Sequence, residues 1–555
     1  MKIRKLSSQI PWRNWLLPLA LLVLFLALRL PGLGRFATID EVYWIKQSAI
    51  FRLAVLDGDW ANTASQHPAV TTMWAGVLGI QMRFPQLDSI PQQEITDFHL
   101  RHFLWQQGVN PIELIAAGRL VVVLLCAAAF ALLWSPLRRL LGGTAAGLAL
   151  AFVALDPFLV GHQRLLHQDG LMAAFGLVTI AYFAAYIHSG KRADLIISAA
   201  AAGLAWLTKS PMLALAPLAA ALAWWGWRNS PQGESRAAFR WLGALAFWGV
   251  MALAVFWLLW PAMWADPLAA LDGVLSYARG SAQGEFSGPI FFNGQIYADG
   301  RLGWAAWIFY PLSFLWRATP LVLLGLAAAL WARPWARRHA PEQKTLLAAL
   351  AGFALLFIIA MSIAEKKFDR YMLPAYAALL PVAGWGLAQL IASLQARIKP
   401  AVRRWAPAAL AAALLGGQLW ASGANFPYYL QHYNRLFGGA ANAQHGMMLG
   451  WGEGLERAAQ YLQGKTNRDT QVASWYSNLF TLFYGDDVAD IPILAQLSPE
   501  QLEQLLAMDY LVIYIHQWQR GTPQNLLNAL EPMDPDYSVW INGLEYVRVY
   551  RLNGD

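Results

Sequence analysis

The sequence is built around apolar runs of about twenty residues, the length a helix needs to cross the hydrocarbon core of a bilayer. Such runs centre on 15–33, 112–134, 143–161, 169–188, 194–208, 210–227, 240–263, 306–331, 345–364, 371–393 and 402–422. Composition agrees: 57% of the residues are hydrophobic and 13% charged, against about 45–50% and 25% in soluble domains. The expected fold is an α-helical polytopic membrane protein with about 11 transmembrane helices. The run at 194–208 is the shortest, and it ends in Thr208-Lys209-Ser210-Pro211, where Pro211 starts a new helix rather than continuing the old one.

The formal charge of +8 suits a nucleic-acid binder in principle, but its distribution argues for membrane orientation. Basic residues fall in alternate loops: Lys2, Arg4, Lys5 and Arg13; Arg138 and Arg139; Lys191 and Arg192; Arg228, Arg236 and Arg240; Arg333 and Lys344; Arg397 and Lys399. By the positive-inside tendency these loops are cytoplasmic, with the N-terminus inside and, after an odd number of spans, the C-terminus outside. A cell (inner) membrane location follows. The basic N-terminus and the apolar stretch Trp15 to Leu28 have the layout of a signal peptide, yet Arg29, Pro31 and Gly32 follow in place of a cleavage site. An uncleaved first span is expected. Cys126 is the single cysteine, so no disulfide and no cysteine-based metal site can form within the chain.

Two domains are expected: a transmembrane part over 1–422 with long outer loops at 34–111 and 265–305, and a small extracytoplasmic α/β domain over 423–555. In the latter, strand patterns run Gln471 to Trp475, Tyr510 to Ile515, Tyr537 to Ile541 and Leu544 to Tyr550, the last two joined by Asn542-Gly543, a tight-hairpin signal. Helical patterns lie at 453–463 and 498–507.

Chemistry-bearing residues gather in the outer segments. Asp40-Glu41 follows the first span; adjacent carboxylates repel each other and cost desolvation, which suits a general base beside a group that orients substrate or a cation. The same pair also suits a helix start capped by Thr38. His67 precedes Pro68, in extended backbone from which it can reach a phosphate or sugar. Arg119 enters the second span beneath the first loop, as an interface anchor or a phosphate clamp. Between the third and fourth spans, Asp156, His162, Arg164, His167 and Asp169 crowd one turn at the bilayer surface, where ionisable groups are candidates for function. Lys209 tops another outer turn, and Lys366, Lys367, Arg370 and Tyr371 set cations where the positive-inside tendency disfavours them. A polyanion at the outer leaflet, or a surface ion-pair cluster, explains them. Walker and dinucleotide motifs are absent from the sequence, so the activated donor is expected on the outer face, with a lipid phosphate as carrier.

These motifs, in this order, resemble the dolichyl-phosphate-mannose protein O-mannosyltransferases and their bacterial relatives, including the aminoarabinose transferases of lipid A, all polyprenyl-phosphate-dependent glycosyltransferases of the membrane-embedded C superfamily. The matching stretches are Asp40-Glu41, His67-Pro68-Ala69 through Trp74, Arg119, Asp156-Pro157-Phe158, His167-Gln168-Asp169-Gly170 and Lys367 through Pro374. Gly450-Trp451-Gly452-Glu453-Gly454-Leu455 and the hairpin from Trp540 to Arg551 look like the tail of a bacterial subgroup. Ala69 departs from the subgroup's more usual His-Pro-Gly, and 265–305 is too short for the β-trefoil inserted in the eukaryotic enzymes.

The resemblance implies a membrane glycosyltransferase, hexosyl- or pentosyl-transferring. It would move a sugar with inversion from a polyprenyl-phosphate donor to an extracytoplasmic protein, lipid or glycan acceptor. On that reading Asp40, Glu41 and Asp169 form the catalytic set, with Asp40 as base. Arg119, Lys367, Arg370 and His67 bind the donor phosphate, while Asp156, Arg164, His167 and Tyr371 position substrate. A divalent metal has room among the carboxylates, and no other cofactor is called for. The rival class is a lipid-linked sugar flippase, which should carry ionisable residues at mid-bilayer and broken spans.

Overall fold

The computed structural model describes the chain except residues 1–12, 66–67, 91–94, 231–233, 286–287, 334, 337–338, 398–404, 468 and 554–555. The first half is helical: α1 (Arg13–Arg29), α2 (Ile39–Leu56), α3 (Val70–Arg83), α4 (Asp97–Gln106), α5 (Pro111–Leu141), α6 (Gly143–Leu155), α7 (Pro157–His162), α8 (Gln168–Ser189) and α9 (Arg192–Thr208). Then come α10 (Leu215–Arg228), α11 (Glu234–Leu259), α12 (Ala262–Ala265), α13 (Pro267–Gln283), a small hairpin β1 (Ile290–Phe292) and β2 (Gln295–Tyr297), α14 (Ala305–Arg317), α15 (Pro320–Ala332), α16 (Pro341–Ile363) and α17 (Leu373–Arg397).

Proline and short polar side chains set the breaks. Asn110 accepts the Ile112 N–H with Pro111 as first residue of α5, and Asp156 closes α6 while its carboxylate accepts the Leu159 N–H that opens α7. Thr319 caps α15 ahead of Pro320, and there the chain turns by 114° between α14 and α15. This turn is why the run at 306–331 reads as one span in the sequence but forms two short helices.

Among the described residues, five helical stretches are long and apolar enough to cross a membrane: Pro111–Leu141, Gln168–Ser189, Ala237–Leu259, Pro341–Ile363 and Asp369–Arg397. The bent α14–α15 pair makes up to six, and Trp15–Arg29, Gly143–Leu155 and Ala408–Gly423 are shorter apolar helices. The runs at 194–208 and 210–227 form α9 and, after a 3-10 turn over Ser210–Ala214, α10, of 17 and 14 residues. Hydropathy marks apolar runs; it does not report whether a helix stays unbroken through them. Small residues let the bundle close: a Cβ on Gly384 would overlap the backbone of Ala149, and one on Gly386 the carbonyl of Gly325, so α17 lies directly against α6 and α15.

Towards the C-terminus a five-stranded sheet has the order β4-β3-β5-β7-β6, from β3 (Val472–Ser474), β4 (Ala489–Asp490), β5 (Tyr510–Tyr514), β6 (Tyr537–Ile541) and β7 (Leu544–Arg551). β3 runs parallel to β4 and β5, whereas β7 is antiparallel to β5 and β6. Asn542 and Gly543 both take positive φ, as a primed two-residue hairpin turn requires.

The segment Gly450 to Gly454 threads between this sheet and the helices. Its three glycines have φ of 90°, 122° and 93°, which side chains with a Cβ rarely adopt. Through it the Gly452 N–H donates to the Tyr514 hydroxyl at 2.8 Å, and the Trp451 carbonyl accepts the Ile39 N–H at 3.2 Å. The start of α2 is thereby tied to the sheet.

Candidate active site

Helix α2 begins where the sequence pairs its carboxylates. The Thr38 N–H donates to Glu41 Oε2 at 2.9 Å, half of a capping box, which points Glu41 back into the protein and leaves Asp40 outward. Glu41 is fully buried and saturated: Arg119 Nε donates to Oε1 at 2.6 Å, Arg119 Nη2 to Oε2 at 2.5 Å, and the Leu166 N–H to Oε1 at 2.8 Å. Burial pushes the Glu41 carboxyl up, and the Arg119 charge outweighs it and holds it below its usual range. Neither Glu41 nor Arg119 lines the two cavities that flank Asp40. The expectation that Arg119 grips a phosphate and Glu41 faces substrate is thus corrected: each neutralises the other, and the pair locks α2, α5 and the turn at Leu166 together.

Asp40 differs sharply from its neighbour. Its side chain is 34% exposed and lies between two cavities, one of about 130 Å³ and one of about 640 Å³. His167 Nε2 stands 3.4 Å from Asp40 Oδ2, and Arg370 Nη2 stands 3.3 Å from the same oxygen. Because His167 Nδ1 accepts the Asp169 N–H at 3.3 Å, its proton sits on Nε2, facing Asp40. Desolvation works against the Asp40 anion, but the His167 hydrogen bond and the Arg370 charge prevail and keep its carboxyl well below the usual carboxylate range. Asp40 is held ionised.

At the start of α8, buried Asp169 takes Lys209 Nζ on Oδ1 at 2.8 Å, with His167 Nδ1 at 3.4 Å and Arg370 Nε at 3.6 Å from Oδ2. Lys209 also sits over the Tyr371 ring, 4.3 Å from its centroid. Arg370 lies between Phe368 and Trp451, 4.1 and 4.2 Å from their ring centroids, so its fork is fixed in direction. Asp40, His167, Asp169, Arg370 and Tyr371, hundreds of residues apart in places, therefore converge on one centre.

The other expected site residues do not join it. Lys367 is buried with Nζ bonded to the carbonyls of Met361 at 3.0 Å, Ser362 at 2.9 Å and Ala364, closing the end of α16. It is its neighbour Lys366 that lines the larger cavity, with burial, and then Arg370 and Lys209, bringing its ammonium down to about 8. Asp156 caps α7 and accepts the Tyr376 hydroxyl at 2.8 Å, and Arg164 Nη2 donates to the Pro31 carbonyl at 2.5 Å; both are buried away from the cavities. Fully engaged with the protein, Lys367 and Asp156 have no group left to offer a ligand. His67 lies outside the described residues.

Among the described residues no cluster of three or more His, Cys, Asp and Glu is placed to hold a metal ion. Asp40 faces Arg370, and Asp169 faces Lys209.

Several residues that line these cavities have no expected site role: the sequence marks Lys366, Lys209 and His162 only as outer-turn groups, Trp451 and Glu453 only within the Gly450 to Leu455 motif, and Arg520 not at all. Lys209 and Lys366 shared the one available signal, a cation on an outer turn.

Residues 112–260 match the family model of dolichyl-phosphate-mannose-protein mannosyltransferase. That segment runs through Arg119, Asp156, His167, Asp169 and Lys209. The match covers well under half of the chain.

No curated protein is a significant sequence match to the chain. Among solved structures it is similar to ArnT from Cupriavidus metallidurans bound to undecaprenyl phosphate, at 16% identity over 96% of this chain and 97% of that one, TM-score 0.48. It is similar to the Archaeoglobus fulgidus oligosaccharyltransferase tethered with an acceptor peptide, at 12% identity over 97% and 74%, TM-score 0.48. A third, the S. cerevisiae protein O-mannosyltransferase Pmt1-Pmt2 complex bound to the sugar donor, shows 18% identity over 45% and 34%, TM-score 0.36.

Proposed function

We propose that this protein is a membrane glycosyltransferase that transfers a sugar, with inversion, from a polyprenyl-phosphate donor to an acceptor hydroxyl or amine outside the cytoplasm. One observation carries the reading: the 640 Å³ cavity, which holds the charged groups, adjoins an apolar groove of about 330 Å³, and Lys209, Tyr277, Lys366 and Tyr371 line both. The groove is walled by Met172, Leu213, Val274, Phe357 and Met361 on α8, the turn before α10, α13 and α16. An isoprenoid chain in the groove sets its phosphate at Lys209, Lys366 and Arg370. Among the described residues, no carboxylate pairs with Lys366 within salt-bridge distance, so it brings net positive charge to a headgroup.

In the transfer, the bond from the anomeric carbon to the phosphate oxygen breaks, and its electron pair leaves with the phosphate. A bond forms from the acceptor atom to the anomeric carbon, and the acceptor's proton passes to Asp40. An anion held as strongly as Asp40 is a weak base, suited to a transition state in which the sugar already carries oxocarbenium character before the proton moves. Cations fixed at the leaving phosphate act where negative charge develops. Within this reading residues 423–555 form an outer domain over the site, the N-terminus is cytoplasmic, and the outer loops 34–111 and 265–305 frame the cavity. The α14–α15 break is one mark of the flippase alternative, but Asp40, Lys366 and Arg370 lie at helix ends rather than along a span, which favours transfer.

The test is transfer by the purified full-length chain in detergent. Undecaprenyl phosphate should be released from an undecaprenyl phosphoryl sugar at a rate that rises with added acceptor and collapses in Asp40→Asn. Translocation of lipid-linked sugar across liposomes without any release would overturn the proposal.

A further inference from the structure

The smaller cavity has a makeup that phosphate chemistry does not explain. It lies on the far side of Asp40 and Arg370 from the apolar groove, between the helices and the sheet, and is lined by His162, Gln431, Glu453, Tyr476 and His516 among others. Lys209 and Lys366, the cations at the groove, are not part of it; three arginines line it, of which Arg317 is paired with Asp369 and Arg370 with Asp40, and the third is Arg520.

Its walls hold buried polar atoms that, among the described residues, no protein group satisfies. His162 is 3% exposed, and neither ring nitrogen has a hydrogen-bond partner in the protein. Glu453 is fully buried; its Oε2 accepts the Trp451 N–H at 2.6 Å, while Oε1 makes no hydrogen bond. Buried polar groups are almost always paired, and leaving one unpaired costs about 1–3 kcal/mol. Two such side chains facing one small pocket beside the reacting carboxylate therefore point to a ligand. Burial keeps His162 neutral, bringing its imidazole down to about 3, so it presents one donor and one acceptor. Glu453 adds an acceptor and Gln431 an amide. Mixed donors and acceptors, carboxylates beside arginines, around a small space match the hydroxyls of a sugar ring.

We propose that this pocket is the subsite for the transferred sugar of the lipid-linked donor, with His162 and Glu453 hydrogen-bonding its hydroxyls and so setting which sugar is used. The assignment rests on the glycosyltransferase reading above and adds to it the place and chemistry of sugar selection. The pocket shares Asp40 and Arg370 with the larger cavity, as it must if the sugar is one bond away from a phosphate held at Arg370. Its volume of about 130 Å³ suits a moiety of the size of one sugar ring. An acceptor carried on a larger molecule needs the more open space of the 640 Å³ cavity.

His162→Phe is the informative variant. It preserves the edge-to-face packing on Phe158, whose ring centroid is 4.8 Å away, and removes two nitrogens that bond nothing in the protein, so folding should be kept or improved. Full-length protein in detergent is titrated with undecaprenyl phosphate and with undecaprenyl phosphoryl mannose, glucose and galactose. Wild type should bind at least one sugar-bearing lipid about tenfold more tightly than undecaprenyl phosphate. In His162→Phe that gap should close, with binding of undecaprenyl phosphate within about twofold of wild type and Tm not lowered. Glu453→Gln should change the order of preference among the three sugars.

A gap that survives in His162→Phe, equal binding of all four lipids by wild type, or a loss confined to acceptor KM would each overturn the sugar subsite. Failure of wild type to bind undecaprenyl phosphate at all would instead remove the glycosyltransferase reading on which the subsite rests.

Discussion

Arg370 and Asp40 are 330 positions apart in the chain, yet Nη2 of the first lies 3.3 Å from Oδ2 of the second. The same guanidinium approaches Asp169 through Nε, at 3.6 Å. One rigid fork therefore spaces two carboxylates and still faces the cavity, which a flexible ammonium cannot reproduce. Arg370→Lys should lower kcat/KM for the donor by about 10–100-fold, and Arg370→Ala further, measured as initial rates across donor concentrations with Tm as a folding control. Full activity in Arg370→Ala would reduce the cation to an ion-pair partner.

Asp40→Asn keeps the shape of the side chain and removes the proton acceptor. Turnover should fall by about 10²–10⁴-fold with donor affinity largely retained. Loss of donor binding with turnover per bound donor intact would reassign Asp40 to positioning.

Lys366 gives a pH signature. Its ammonium is brought down to about 8 by burial, then by Arg370 and Lys209. The protonated form binds a phosphate, so donor affinity should be full below that pH and decline as pH rises through it. Between pH 7 and pH 9 the donor Kd should increase by about tenfold, since one pK unit corresponds to about 1.4 kcal/mol. Lys366→Met should weaken donor binding at pH 7 and flatten this dependence. A wild-type Kd that is level from pH 7 to pH 9 would show that Lys366 does not meet the phosphate.

The adjacent lysine should behave differently. Lys367 satisfies the carbonyls of Met361, Ser362 and Ala364, so Lys367→Ala strips the end of α16 of its partners. The expected outcome is a lowered Tm, by the equivalent of about 1–3 kcal/mol, with donor Kd unchanged in the folded fraction. A lowered donor affinity at unchanged Tm would return Lys367 to the phosphate site.

That contrast marks how far the sequence could be read. The motif order and outer location brought Asp40, His167, Asp169, Arg370 and Tyr371 into view, because cations and carboxylates at span ends are costly unless used. The turn signal at Asn542-Gly543 and the strand patterns beside it were equally plain, being local. Which of Lys366 and Lys367 faces the cavity depends on how the chain leaves α16, and spacing does not contain that. The Glu41–Arg119 pair and the meeting of His162 with Glu453 are long-range packing outcomes, invisible to motifs. Apolar runs gave the membrane class, but the 114° turn between α14 and α15 shows that a run and a straight span are different things.

The Glu41–Arg119 pair makes the final prediction, because it separates stability from chemistry. Both side chains are fully buried, and the carboxylate is bonded by Arg119, the Leu166 N–H and the Thr38 N–H. Glu41→Gln leaves the Arg119 guanidinium charged in a buried setting with no counter-ion. Breaking one side of such a pair typically costs about 3–5 kcal/mol, so Tm in detergent should fall steeply and yield should drop with it. The double variant Glu41→Leu with Arg119→Met removes both charges at similar volume and should recover much of that loss, since an apolar replacement of a buried pair is often neutral. Recovered stability with turnover near wild type would establish the pair as the brace that holds Asp40 in place. If Glu41→Gln instead kept the wild-type Tm and lost turnover, Glu41 would belong among the groups that touch substrate.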